Sequence, residues 1–435
     1  MSIETLEYDV IGLGFGPANL AIAVALEEDA RVSESGLRYC FLEKKPAFEW
    51  HGGMLLEDSR MQVSFIKDLA TLRNPASAFT FINYLHQKRR LESFSNIGTF
   101  YPTRLEYNDY LGWAAGHFAE RVHYGEEVIG VEALEEQGEV RRLRVLSRSA
   151  DGRTRTRITR NLVVSIGGLP SVPEVFRPAR DPRVIHSSTY QARIDDLCAQ
   201  RDGRHRLAVI GSGQSAAEIF NDLAGRFPNS EVSLVMRGQA LRPADDSPFV
   251  NEIFNPSYTD VIYQQPHAVR QALIRSHAHT NYSVVDLDLI ERVYERLYLQ
   301  QVTGKVQHQL LNNRQILGVQ AQPEGIQLTL SAGDEGGGPD VRGFDAVVLA
   351  TGYRRDGHKD LLEGVSQYFA DAEVERSYRQ PTLAHFQPNI FLQGCCEASH
   401  GLSDTLLSVL AVRSQEVVDA LLLNRRRPQQ AAACA

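Results

Sequence analysis

Two strand, glycine-turn, helix segments and one long helical stretch without sheet periodicity predict an α/β chain. It has two Rossmann-like units, the second inserted in the first, and a small helical domain. The first segment is 8-YDVIGLGFGPANLAIAVALEE-28, an apolar strand that meets Gly12, Gly14 and Gly16 before a helix of small residues. The second is 206-RLAVIGSGQSAAEIFNDLAG-225, with Gly211 and Gly213, and Ala216 where a third glycine would stand. The helical stretch occupies 241–301. At 435 residues the chain outgrows a single core, so several lobes with clefts between them are expected.

Each glycine turn supplies what a dinucleotide requires: a tight turn, close backbone approach to a pyrophosphate, and a helix N-terminus aimed at negative charge. One such turn is weak evidence, because tight strand–helix turns need glycine for structural reasons alone; two in the right context are much stronger. The strand 38-RYCFLE-43 then ends in Glu43, placed to bond the ribose of an adenosine without a 2′-phosphate. The strand 231-EVSLVMR-237 ends instead in Arg237, a cation suited to the 2′-phosphate of NADP. That contrast assigns FAD to the first unit and NADPH to the second.

Two further buried-type runs, 162-LVVSIGGLPSVP-173 and 344-FDAVVLATGYRR-355, stop at small residues where the chain passes between the units. The expected division is therefore 1–170 with 355–435 for FAD, 171–240 with 302–354 for NADPH, and 241–301 as a helical substrate-binding cap. A glycine-rich acidic turn at 332–340 joins two strands, and 425–435 is expected to be a frayed tail.

Composition excludes several function classes. A net charge of −8 offers no broad basic surface to nucleic acid. No apolar run approaches the roughly 20 residues that a bilayer span requires, and the N-terminus lacks a signal-peptide pattern, so a cytoplasmic enzyme is expected. The five cysteines, at 40, 198, 395, 396 and 434, form no C-x-x-C pair and no cluster at metal-ligand spacing, so neither a disulfide framework nor a metal site is expected. The vicinal pair Cys395 and Cys396 reads as reduced structural thiols. Oligomeric state is left open, with a homo-oligomer among the options.

An ordered set of motifs narrows the reading: GLGFGPANLA, WHGGMLLEDSRMQVSFIKDLATLRNP, FYPTRLEYNDYL, GSGQSAAE, DDSPFVNEIF, TNYSVVD, LATGY and HGLSDTLLS. Together they resemble the flavin-dependent N-hydroxylating monooxygenases of siderophore biosynthesis, above all the L-ornithine N5-monooxygenases. Pro17, at the third fingerprint position, belongs to that family's own GFGP pattern. Absences agree: no redox cysteine pair, and His186 in the linker 176–190 lacks the glycine of a Baeyer–Villiger signature. The resemblance implies that NADPH reduces FAD, that O2 adds to give a C4a-hydroperoxide, and that the distal oxygen passes to a primary amine. The alternatives are the same reaction on L-lysine, putrescine or cadaverine, and, more remotely, a non-hydroxylating NADPH flavoprotein oxidase or sensor.

By the same resemblance Gln62 lies beside the flavin ring, Trp50 and His51 lie in its contacting loop, and Leu402 and Ser403 close over flavin and substrate. Lys67, Asn251 and Asn281 meet the amino-acid end of the substrate, with Gln62 and Asn281 positioning rather than catalysing. Gln214, Ser215, Thr351, Gly352 and Tyr353 join Gly211, Gly213 and Arg237 on the NADPH side. An alkylammonium has no lone pair, and a reference pKa near 10.4 leaves less than about 1% neutral at pH 7, so the site must disfavour the ammonium. Asp245, Asp246 and Asp286 are accordingly expected at the rim or in scaffold roles. Two bland readings stand beside these. The alternation in 61-MQVSF-65 is that of a half-buried strand, with Lys67 paired to Asp68 at its end, and Ser403 precedes an apolar run as a helix N-cap.

Overall fold

The computed structural model describes residues 6–305, 307–333 and 338–431, with side chains to residue 423. Its strands in chain order are β1 (Leu6–Leu13), β2 (Tyr39–Glu43), β3 (Val122–Tyr124), β4 (Glu126–Glu136), β5 (Glu139–Ser149) and β6 (Thr154–Val164). There follow β7 (Leu169–Pro170), β8 (Val184–His186), β9 (Arg206–Ile210), β10 (Glu231–Val235) and β11 (Gln309–Leu311). The last are β12 (Ile316–Gln322), β13 (Gly325–Leu330), β14 (Asp340–Phe344), β15 (Ala346–Leu349), β16 (Tyr353–Arg354) and β17 (Asn389–Leu392).

β1, β2, β3, β6 and β17 pair in parallel, and β4 and β5 extend the sheet antiparallel from β6. A second sheet, ordered β11-β10-β9-β15-β8, is parallel throughout. Parallel strands covered on both faces read as continuous apolar runs, as in the wholly buried AVVL of β15. Strands of the first sheet come from before residue 165 and after residue 388, those of the second from 184–349. The outgoing and returning chain pair with each other as β7 and β16.

The helix Pro17–Glu28 is buried from Asn19 to Leu26 because it lies between the first sheet and the helix Leu410–Ala431. Its small residues permit that approach, and Pro17 at its start presets the helical φ without wasting an amide.

Several expectations change. No strand forms at 61–65: Met61 N donates to Pro102 O (2.9 Å) and Phe65 N to Phe100 O (2.9 Å), docking the segment on a loop. Met61 and Phe65 are buried, so the alternation reports burial and not pairing. Residues 241–301 divide: helices Tyr258–Tyr263 and His267–His277 pack on the short helix Glu397–His400, whereas Leu287–Thr303 packs on Gln214–Arg226 and sends Leu289 and Val293 into the second unit's core. Residues 425–431, expected as a frayed tail, continue the last helix; 432–435 lie outside the described residues, as do 334–337 within the turn between β13 and β14. Ser403 caps no α-helix, since Leu402–Thr405 and Leu407–Val409 are 3-10 turns and the helix starts at Leu410.

Candidate active site between the nucleotide units

At the end of β1 the chain turns at Gly14, whose φ of +82° favours glycine and where a Cβ would lie 2.6 Å from the Ser165 carbonyl oxygen. A Cβ on Gly12 would strike the Phe41 ring at 2.2 Å. Beyond them Gly16 caps the helix with no side-chain hydrogen bond, and its missing Cβ faces open space. An uncapped helix N-terminus behind an open glycine fits a pyrophosphate. Glu43, at the end of β2, accepts from Phe15 N (2.7 Å) and Lys45 N (2.9 Å), and a carboxylate with about four lone-pair sites keeps capacity for ribose hydroxyls.

The second turn repeats this logic. Gly211, at φ +149°, would put a Cβ 2.4 Å from the Ala350 carbonyl, and Gly213 caps Gln214–Arg226 without a side-chain bond. Ser215 is half-buried in the first helical turn, and Arg237 is exposed just beyond β10 with no carboxylate within 4.0 Å among the described residues. Thr351 Oγ1 donates to Ser171 O, and Gly352 O accepts from Ser171 N (2.9 Å) and His186 Nε2 (3.0 Å), which fastens the crossing point. The Tyr353 ring lies 5.2 Å from the His186 ring and 6.4 Å from the His51 ring.

The loop holding Trp50 and His51 joins the two units. Trp50 N donates to Asn108 Oδ1 (2.9 Å), and its ring meets His51 edge-on at 4.7 Å. His51 keeps accessible surface yet is crowded by protein atoms, as on a cleft wall; that desolvation, with Arg104, Arg355 and Lys45 nearby, holds its pKa down at about 4. Gly53 has no room for a side chain, since a Cβ would lie 2.2 Å from Ser188 O. Met54 and Leu56 then enter the second unit's core.

Below this loop runs a polar clasp. Gln62 Nε2 donates to Asp286 Oδ1 (2.8 Å), and Gln214 Nε2 donates to Asp286 Oδ2 (2.9 Å) and Glu218 Oε1 (3.0 Å). Asp286 N returns a bond to Gln214 Oε1 (2.8 Å). Arg104 grips Glu218 through two bonds (3.0 and 2.9 Å) and also donates to Met54 O (2.8 Å). Burial raises the Asp286 carboxyl above its ordinary value, partly offset by Gln62. Asp286 thus sits at the junction of both units and the helical segment, while Asp245 is exposed and bonded to Ser247 N (3.1 Å) and Asp246 is exposed.

The residues expected at the substrate end lie on separate elements. Lys67 is half-buried, burial lowers its pKa, and no carboxylate lies within 4.0 Å of it among the described residues. Its neighbour Asp68 is no partner: it is buried and accepts from Ala70 N, Thr71 N, Thr71 Oγ1 and Phe81 N. Asn251 Nδ2 donates to Asp246 O (2.7 Å), and Asn281 ends a 3-10 turn two residues before Ser283, whose Cα would lie 3.6 Å from a Cβ on Gly213. Leu402 and Ser403 are buried, and Leu402 lines a narrow apolar pocket with Ile253, Ile262 and Ile274. A broader surface hollow among Arg90, Thr103, Glu106 and Asp109 holds none of the expected residues.

Two features of this region leave little sign in the sequence. Asn19 Nδ2 donates to Leu13 O (3.2 Å) and Gly14 O (2.7 Å), while its Oδ1 accepts from Ser165 Oγ (2.9 Å) and Gln393 Nε2 (3.4 Å), tying β1, β6 and β17 beneath the first turn. Arg104 and Glu218 stood inside quoted motifs with no role; a charged residue inside an otherwise apolar helical face was their only signal.

The family model described as L-lysine 6-monooxygenase/L-ornithine 5-monooxygenase matches residues 6–355. The chain is 53% identical over 408 residues to an L-ornithine N(5)-monooxygenase of Burkholderia cepacia, covering 92% of this chain and 91% of that protein. It superposes on the ornithine hydroxylase PvdA from Pseudomonas aeruginosa with TM-score 0.93 at 46% identity, covering 97% and 100% of the two chains. The Kutzneria sp. 744 ornithine N-hydroxylase, a structure described with reduced FAD, NADP+ and L-ornithine, superposes with TM-score 0.89 at 37% identity over 96% and 100%. With the family pattern running through both glycine turns, the chain belongs to the L-lysine 6-monooxygenase/L-ornithine 5-monooxygenase family.

Proposed function

We propose that this chain is a cytoplasmic FAD- and NADPH-dependent monooxygenase that hydroxylates the terminal amine of L-ornithine, supplying a hydroxamate precursor for siderophore assembly. The observation that carries this reading is the clasp Gln62–Asp286–Gln214, which brings the loop of the first unit, the glycine turn of the second and the helical segment to one cleft. NADPH supplies the hydride and FAD the activation of O2. The protein binds, orients and excludes water.

Gly12, Gly14 and Pro17 with Glu43 hold the FAD nucleotide. Trp50, His51, Gln62 and Leu402 bound its ring, and Gly211, Gly213, Gln214, Ser215 and Arg237 hold NADPH, with Thr351, Gly352 and Tyr353 at the crossing. His51, uncharged near neutral pH, adds no charge to the cleft wall. Lys67 is a half-buried cation with no carboxylate within 4.0 Å among the described residues, and an amino-acid carboxylate completes it. Asn251, Asn281 and Ser403 hydrogen-bond the same end without adding net charge. Anchoring that end fixes the reach of the chain: one extra methylene moves the amine by about 1 Å, enough to cost about 10²-fold in rate.

The test supplies purified holoenzyme with NADPH, O2 and, separately, L-ornithine, L-lysine, putrescine and cadaverine, and assays hydroxylamine product. Product from ornithine well above the others supports the reading. Product from diamines alone would remove the carboxylate role of Lys67, and no product from any amine would sink the monooxygenase reading.

A further inference from the structure

Asp286 meets a glutamine from each nucleotide unit on its two oxygens, and the bonds around it leave one of them free to turn and the other not. Gln214 is fixed at both ends of its amide: Oε1 accepts from Asp286 N (2.8 Å), while Nε2 donates to Asp286 Oδ2 (2.9 Å) and Glu218 Oε1 (3.0 Å). Glu218 is itself held by both terminal guanidinium nitrogens of Arg104 (3.0 and 2.9 Å). Gln62 is fixed at one end, by Nε2 to Asp286 Oδ1 (2.8 Å), and its side-chain amide makes no other hydrogen bond among the described residues.

A carboxylate oxygen only accepts, so Gln62 must turn its Nε2 to Asp286. Its Oε1 is left as an acceptor on an exposed side chain. The place of that oxygen follows from its neighbours. Gln214 opens the helix behind the second glycine turn, and Gln62 belongs to the first unit, so Asp286 joins them at the seam between the two. Hydride transfer requires the two redox rings in contact, and a seam between two dinucleotide units is where they can meet.

We infer that Asp286 is a positioning residue for the flavin: by holding Nε2 of Gln62, it turns Oε1 to the ring as an acceptor for an N–H that the ring carries only when reduced. The inference rests on the FAD and NADPH reading above. Oxidised isoalloxazine has one ring N–H and reduction adds another on the central ring, so an acceptor there favours the reduced form and a donor in its place opposes it.

Asp286→Asn separates orientation from packing because it is nearly isosteric. An asparagine amide offers one acceptor and one donor where the carboxylate offered two acceptors. Gln214 cannot turn without losing the bonds at both ends of its amide, so asparagine must give it Oδ1 and give Nδ2 to Gln62. Gln62 then turns over and presents Nε2 to the seam. No cap is lost, since Asp286 is the N-cap of Leu287–Thr303 without a side-chain cap bond, and asparagine serves equally there.

The test measures the midpoint potential of FAD in anaerobic holoenzyme, by equilibration with a reference dye, for wild type, Asp286→Asn, Gln62→Leu and the double variant. Removing the carboxylate charge raises the potential in either background, so the readout is the difference between backgrounds. The change caused by Asp286→Asn should be about tenfold less favourable to the reduced form with Gln62 present than with leucine, about 30 mV for a two-electron couple. A clasp that merely bolts the units together would alter Tm and leave that difference at zero. The same change in both backgrounds, or a more positive one with Gln62 present, would overturn the inference while leaving the flavin reading intact. A purified wild-type chain that binds no FAD would overturn both.

Discussion

A carboxylate separates the amino-acid substrates from the diamines, and under the proposed function Lys67 is the cation that would meet it. That ammonium is half-buried with no carboxylate within 4.0 Å among the described residues, so it gains most from a ligand that brings one. A charge-assisted hydrogen bond contributes about 1.5–3 kcal/mol, so Lys67→Ala should raise the KM for ornithine by about 10- to 100-fold and leave the KM for NADPH nearly unchanged, as read from initial rates. Arg237 works in the opposite unit. It is exposed and free of carboxylate partners among the described residues, so Arg237→Ala should raise the KM for NADPH far more than for NADH. An equal effect on both would remove the 2′-phosphate from its role.

At the scale of elements, the units are joined by the loop of Gly53 to Leu56 and by the Arg104–Glu218 pair. Both side chains of that pair are nearly buried, at 12% and 6% exposure, so breaking it strands a charge. Glu218→Ala should destabilise by about 3–5 kcal/mol, visible as a lowered Tm. Gly53→Ala forces a Cβ against the Ser188 backbone and should cost about 1–3 kcal/mol in the same assay. These elements also mark where sequence reading succeeded and where it stopped. The glycine turns were legible because φ, close approach and an uncapped helix demand glycine locally. The alternation of 61–65 fixed which side chains are buried, but its partner, the loop at 100–102, lies some forty residues away and left no local sign. The clasp was invisible for the same reason: Gln62 and Asp286 meet only once both units are folded. Asp286, expected at the rim or in a scaffold, is at the centre of the junction.

For the whole molecule, two buried histidines make stability depend on pH. His308 and His400 are each held down at about 4, chiefly by burial. The unfolded chain takes up these protons as pH falls through about 6.5, the folded chain only near 4, so stability is full above about pH 6.5 and is lost as pH falls toward 4. Asp68 and Asp286, raised by burial, oppose part of that loss. His308 lies outside the cleft, its Nδ1 buried without a partner, so His308→Gln should flatten the fall in Tm between pH 6.5 and 4 without altering catalysis. The central claim, that two nucleotide sites and an amine site share one cleft, is tested most directly by coupling: hydroxylated ornithine formed per NADPH consumed under O2. The account predicts close to one hydroxylamine per NADPH with ornithine, falling toward zero with hydrogen peroxide in its place when Lys67 is replaced by alanine at subsaturating ornithine. NADPH consumption that yields only hydrogen peroxide from the wild-type enzyme with saturating ornithine would contradict it.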